Sequence, residues 1–90
     1  MPDLENLPAV SAIYRVRYEG EVVYVGQTKN LKQRWKAHHI LAQLMQHYGT
    51  DWTLEWTEIA PRHLNRAEAF AHRYFRPALN RQNPSALLGR

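Results

Sequence analysis

Residues 12–38 read AIYRVRYEGEVVYVGQTKNLKQRWKAH, and their periodicity decides the architecture. Val10, Ala12, Tyr14, Val16 and Tyr18 alternate with Ser11, Ile13, Arg15 and Arg17, the period of two expected of a strand with two different faces. Glu19-Gly20 has turn character, and Glu21 to Val25 is rich in β-branched and aromatic residues, so the two runs read as a hairpin. Its register decides where the tyrosines go. A two-residue turn sets Tyr18 opposite Glu21 and sends Tyr14 and Tyr24 to different faces. A three-residue loop with Gly20 in a left-handed bulge sets Arg17 opposite Glu21 and Tyr14 opposite Tyr24. The second register pairs opposite charges and gathers both phenols, and it is the one the sequence favours.

Gly26 to Asn30 follows as a loop in which Thr28 or Asn30 caps a helix beginning near Leu31, and Gly49 ends that helix. At about 100° per residue, Leu31, Trp35, Leu41, Ala42, Leu44, Met45 and Tyr48 share one side. Lys32, Lys36, His39, Gln43, Gln46 and His47 share the other. Arg34 and His38 fall within the apolar side, where a cation must be desolvated or partnered.

Working outward, Trp52 to Ile59 alternates as a third strand, and Pro61 breaks it. Asn65 reads as the cap of a second helix that runs to about Phe75 and stops before Pro77. The expected order is β-β-α-β-α: a small α/β (α+β) domain with a mostly antiparallel three-stranded sheet flanked by helices. Residues 1–9 read as a lead-in, 10–82 as the domain and 83–90 as a tail. Ninety residues leave room for one core, which buries only about 60% of the unfolded chain's surface.

The formal charge is +4 and the isoelectric point about 9.8, a mild excess that favours a polyanionic partner. Arg15, Arg17, Lys29, Lys32, Arg34 and Lys36 cluster in the first half, whereas Asp51, Glu55 and Glu58 make residues 49–60 acidic. There is no cysteine, which removes disulfides, thiolate metal sites and cysteine nucleophiles. The opening residues lack the pattern of a signal peptide, and no run approaches 18 apolar residues, so the expectation is a cytoplasmic protein with no membrane partner.

Tyr14 and Tyr24 come first among candidates for chemistry. As plain strand aromatics they would pack on a helix. As reactive groups they need a depressed pKa, because an ordinary phenol near 10 is rarely ionised at neutral pH. Arg34 and His38 are the cations available to depress it, and they occupy adjacent turns of one helix face. A guanidinium also suits a phosphodiester, to which it donates two parallel hydrogen bonds. Glu68 reads two ways. Asn65 followed three residues later by Glu68 is a capping-box pattern. Glu68 also lies beside the stripe of Leu64, Ala67, Ala71, Tyr74 and Phe75, where it would face inward and hold a hard cation such as Mg²⁺, which often takes only one or two carboxylates. The five histidines have no zinc-site spacing, no phosphate-binding glycine loop is present, and Trp52 and Trp56 read as packing residues.

Taken together, Ala12-Ile13-Tyr14, Tyr24-Val25-Gly26-Gln27-Thr28, Asn30-Leu31, Arg34, His38, Glu68 and Pro77-Ala78-Leu79-Asn80 resemble the GIY-YIG nuclease domain. The match departs at Ala12, where the family has glycine, and at Val25, where it has isoleucine. The resemblance implies hydrolysis of DNA phosphodiesters with one divalent ion, Mg²⁺ or Mn²⁺, and no small-molecule cofactor. It implies Tyr14 as general base or water activator and Tyr24 as the residue that orients water or phosphate. Arg34 would stabilise phosphate charge, His38 assist proton transfer, Glu68 hold the metal and Asn80 support the site. Arg15, Lys29, Lys32, Arg34 and Lys36 are the expected contacts to nucleic acid. The reading that competes with catalysis is an inactive nucleic-acid-binding module of the same fold. A third is an interaction domain whose inward polar groups are structural.

Overall fold

In the computed structural model, residues 4–36 and 40–77 are described. Strand β1 (Ala12–Tyr18) and strand β2 (Glu21–Thr28) form the hairpin, followed by helices α1 (Leu31–Lys36) and α2 (Ile40–Tyr48). Strand β3 (Thr53–Glu58), a 3₁₀ turn (Pro61–His63) and helix α3 (Leu64–Phe75) complete the order. The sheet order is β2-β1-β3 and both pairings are antiparallel, so the hairpin's second strand is an edge. The fold class expected from the sequence is the one observed.

The register differs from the expected one. Tyr18 lies opposite Glu21, which makes Glu19-Gly20 a two-residue turn. Both residues adopt positive φ, 51° and 81°, the type I′ geometry whose twist matches the flanking strands. The phenols still gather on one face because the register shifts between Val16 and Arg17, leaving Val23 as an extra residue on β2. Beyond this bulge Tyr24 lies opposite Val16 and Tyr14 opposite Gly26. The physical reason is the run Val22-Val23-Tyr24-Val25, four apolar residues that do not alternate. The bulge lets Val22 and Val25 bury on one side of the sheet, and Val23 and Tyr24 on the other.

Two cores result. Ala12, Tyr14, Val16, Val23 and Tyr24 pack with Leu31 and Trp35 of α1, Ile40 and Leu44 of α2, and Trp52. Trp35 stands edge-on to Tyr14 and is tilted against Trp52, at centroid distances of 5.3 and 6.1 Å. On the opposite side Ile13, Val22 and Val25 pack with Leu64 and Ala71 of α3. That second face is polar toward β3, where Arg15 and Arg17 both reach Glu55, at 2.8 and 3.2 Å.

Local signals fix the helix ends. Asn30 caps α1, its Oδ1 accepting from the Gln33 amide at 3.0 Å. The segment before β1 supplies two more acceptors: the carbonyls of Val10 and Pro8 take the amides of Leu31 and Lys32. Gly49, at φ 65°, closes α2. The second expected cap is not made. Asn65 lies inside α3, whose N-cap is His63 without a side-chain cap bond, because the 3₁₀ turn at Pro61–His63 starts the helical path earlier. Asn65 and Glu68 therefore do not form a capping box. No described helix is long and apolar enough to cross a membrane.

Candidate active site

The two faces of the sheet meet at the β2 edge in a cleft of about 460 Å³, lined by Tyr14, Tyr24, Gly26, Gln27, Thr28, Lys29, Arg34, Asn65 and Glu68. Each face contributes a different kind of group. Tyr14 and Tyr24 come from the aromatic face, with ring centroids 6.2 Å apart. Glu68 comes from α3 on the other face.

Gly26 makes the connection between them. It sits opposite Tyr14 on the edge strand, and the phenol lies directly over it. A β-carbon at position 26 would stand 2.5 Å from both Cζ and Oη of Tyr14, closer than real contacts allow. Only a residue without a side chain lets the phenol reach the cleft.

Glu68 is 5% exposed, so its carboxylate needs partners. The Nε2 of Gln27 donates to its Oε1 at 2.9 Å and to the Asn65 Oδ1 at 2.7 Å. Gln27 pairs with Ile13 in the ladder and so faces α3. His72, one helical turn after Glu68, brings its buried Nε2 within 3.7 Å of the Glu68 Oε2, and that nitrogen makes no hydrogen bond with a described residue. The two oxygens of Glu68 thus meet separate neighbours on β2 and α3.

The electrostatics of Tyr14 run against the expectation of a depressed pKa. Burial pushes the phenol well above its ordinary value, because the charged form loses its hydration. The proximity of Tyr24 raises it further, Arg34 opposes the shift, and a hydrogen bond with Tyr24 and the charge of Glu68 add to it. Desolvation outweighs the single guanidinium, and Tyr14 is a neutral phenol in this environment.

Of the residues expected in the site, Tyr14, Tyr24, Arg34, Glu68 and Lys29 converge on the cleft. His38 and Asn80 lie outside the described residues. Lys32 and Lys36 are exposed on α1, where they border a different groove with Leu4, Glu5 and Trp35. Arg15 is not brought to the cleft: it occupies the Ile13 side of β1 and its Nε donates to Glu55 at 2.8 Å. Gly26, Gln27, Asn65 and His72 were not anticipated. The spacing Glu68-x-x-x-His72 was readable as an i, i+4 pair, whereas the bond between Gln27 and Glu68 spans 41 residues and has no local signal.

The donor set of the cleft limits how it could hold a divalent ion. Among the described residues no three of His, Asp and Glu come together as a protein cage. One carboxylate at a cleft of about 460 Å³ suits a cation that keeps most of its waters, since six waters occupy roughly 180 Å³. Glu68 fits that role.

The family model of the GIY-YIG catalytic domain matches residues 10–80. No curated protein matches the sequence. Among solved structures, the chain is similar to the GIY-YIG N-terminal endonuclease domain of UvrC from Thermotoga maritima bound to its catalytic divalent cation, magnesium. The TM-score is 0.71 and the identity 19%, over 86% of this chain and 90% of that one. A point mutant of the same UvrC domain, also bound to its catalytic divalent cation, aligns with a TM-score of 0.70 and 18% identity, over 84% and 88% of the two chains. At such identity the likeness speaks for the fold.

Proposed function

This chain belongs to the GIY-YIG family, and on that footing we propose that it is a divalent-metal-dependent endonuclease that hydrolyses DNA phosphodiester bonds. The observation that carries the proposal is the convergence of Tyr14, Tyr24, Arg34 and Glu68, from both faces of the sheet, on one cleft at an open strand edge. A buried carboxylate lining that cleft suits a cation, and a binding module would need Arg34 but not Glu68. The metal-bound UvrC domains of the same fold support the requirement for a cation.

Each residue has a task it can perform where it stands. Arg34 offers a planar pair of donors to the phosphate oxygens and neutralises charge that grows in the pentavalent transition state. Lys29, exposed at the cleft rim, adds a second positive charge for the backbone of the nucleic acid. Tyr14 presents its Oη to the attacking water as a hydrogen-bonding group at the cleft and fixes that water's direction. Tyr24, hydrogen-bonded to Tyr14, holds the first phenol in place and lines the same wall. Glu68 would hold the cation, with Gln27 fixing one of its oxygens. When bound, such a cation would supply Lewis-acid stabilisation of charge on the phosphate. His38 would assist proton transfer, and Asn80 would support the site.

Supercoiled-plasmid nicking tests the reading, with Mg²⁺ or Mn²⁺ against EDTA and with Glu68→Ala and Tyr14→Phe beside the parent. The expected result is metal-dependent nicking that both substitutions reduce by at least about 100-fold, equivalent to roughly 2.7 kcal/mol, in proteins that keep their circular dichroism spectra. Equal background from all three would overturn catalysis and leave a nucleic-acid-binding module.

A further inference from the structure

The outer face of α3 carries a feature the cleft does not use. Phe70 and Tyr74, one turn apart, are 61% and 70% exposed, the largest exposures of any large apolar side chain among the described residues. Their rings are parallel to within 8°, with centroids 6.1 Å apart, and Phe75 stands edge-on behind Tyr74 at 4.9 Å. A shallow apolar groove lined by Ile59, Ala60, Ala67 and Phe70, with His63 and Arg66 at its margin, runs alongside. Such rings would lower the free energy by being covered.

The charge around them says by what. Residues 59–77 contain four arginines, Arg62, Arg66, Arg73 and Arg76, all exposed, and one acid, Glu68, which is buried. A second copy of this chain docked face to face would bring the exposed arginines of both copies together with no exposed acid from residues 59–77 between them, an unfavourable like-charge contact. A polyanion with flat apolar groups meets both requirements. Going around α3 from Asn65 at the cleft, away from the core, the order is Arg73 at about 80°, Arg66 at about 100°, Phe70 at about 140° and Tyr74 at about 180°. The arginines therefore lie between the cleft and the rings. A strand leaving the cleft meets cations first and aromatic faces next, the arrangement by which proteins hold single-stranded nucleic acid. Paired bases inside a duplex cannot stack on these rings, but unpaired ones can.

We propose that the Arg66–Phe70–Arg73–Tyr74 face of α3 binds unpaired bases next to the scissile site, so that the favoured substrate is DNA joining a duplex to a single-stranded segment. This deepens the nuclease reading and rests on it. The test is fluorescence anisotropy in EDTA, comparing a blunt duplex with the same duplex carrying a single-stranded tail, for the parent, the double variant Phe70→Ser/Tyr74→Ser, and the ring-preserving pair Phe70→Tyr/Tyr74→Phe. The expected outcome is tighter binding of tailed DNA by the parent, a loss of at least about 10-fold for tailed DNA in the serine variant, an unchanged blunt-duplex affinity, and retention in the ring-preserving pair. Equal binding of the two DNAs by the parent, or equal losses on both in the serine variant, would overturn the proposal. So would sedimentation showing that the parent is a dimer which the serine variant dissociates, since the face would then pair two copies. Plasmid nicking run in parallel separates the two readings: cleavage without a tail preference sinks only this proposal, and a tail preference without cleavage sinks the nuclease and reduces this face to a binding site for unpaired bases.

Discussion

The two faces of the sheet are built differently, and the difference shows how a small domain combines a rigid site with a polar one. The face under α1 and α2 is aromatic and buried: Tyr14, Tyr24, Trp35 and Trp52 are each at most 2% exposed and pack in tilted and edge-on pairs. The face under α3 is built from smaller apolar groups, Ile13, Val22, Val25, Leu64 and Ala71, and gives way to the Arg15–Arg17–Glu55 ion pairs. The first face fixes the phenols by packing. The second tolerates a carboxylate because hydrogen-bonding groups already occupy it. The candidate site lies where the two meet, with Tyr14, Tyr24 and Arg34 from the first side and Glu68 from the second.

Trp35→Ala attacks the aromatic face at its centre and carries the largest expected effect. It should destabilise the protein by about 3–5 kcal/mol, read by urea denaturation, against about 2–3 kcal/mol for Leu64→Ala on the lighter face. Equal losses would mean that the two cores are not distinct in kind. Gly26→Ala attacks the junction itself. The added β-carbon collides with Tyr14, so cleavage should fall about 100-fold while the thermal transition stays cooperative. Full activity in that variant would show that the phenol does not need its path over the edge strand.

Gln27→Ala sharpens the comparison on the carboxylate side. It removes the donor to the Glu68 Oε1, and the affinity for Mn²⁺ measured by calorimetry should drop about tenfold, with a stability loss of about 1–3 kcal/mol from the buried acceptor left unsatisfied. The smallest effect concerns Glu55. Its carboxyl is held below its ordinary value of 4.5, first by hydrogen bonding to Arg17 and then to Arg15, with burial opposing. A lowered folded-state pKa contributes stability that is present above the ordinary value and is lost as pH falls through the folded one. Melting temperature should therefore decline less steeply below pH 4.5 in Glu55→Gln than in the parent. The group is partly exposed, so the difference should also shrink in high salt.

Much of this was legible along the chain. The alternation in Val10–Tyr18 and Trp52–Ile59, the cap at Asn30 and the stop at Gly49 are local preferences, and local preferences survive in the fold. Tyr14, Tyr24, Arg34 and Glu68 were recognisable together because a motif keeps their order. What could not be read were relations between distant residues. The Val23 bulge reverses the parity of the hairpin, and a run of four apolar residues gives no hint of where it falls. The Asn65-x-x-Glu68 spacing imitates a capping box, and only the Pro61–His63 turn, by starting the helix early, releases both side chains to Gln27. Arg15 looked free to meet nucleic acid until β3 brought Glu55 beside it.

The sequence by itself determined the elements, their order and the residue types capable of phosphodiester chemistry, because periodicity, caps and motif spacing act over a few residues. The tertiary structure alone decided which of those residues meet. It put a phenol over Gly26, turned Glu68 inward and left Phe70 and Tyr74 outward. It also pushed the pKa of Tyr14 upward, since desolvation depends on everything packed around a group and outweighed the nearby charge of Arg34.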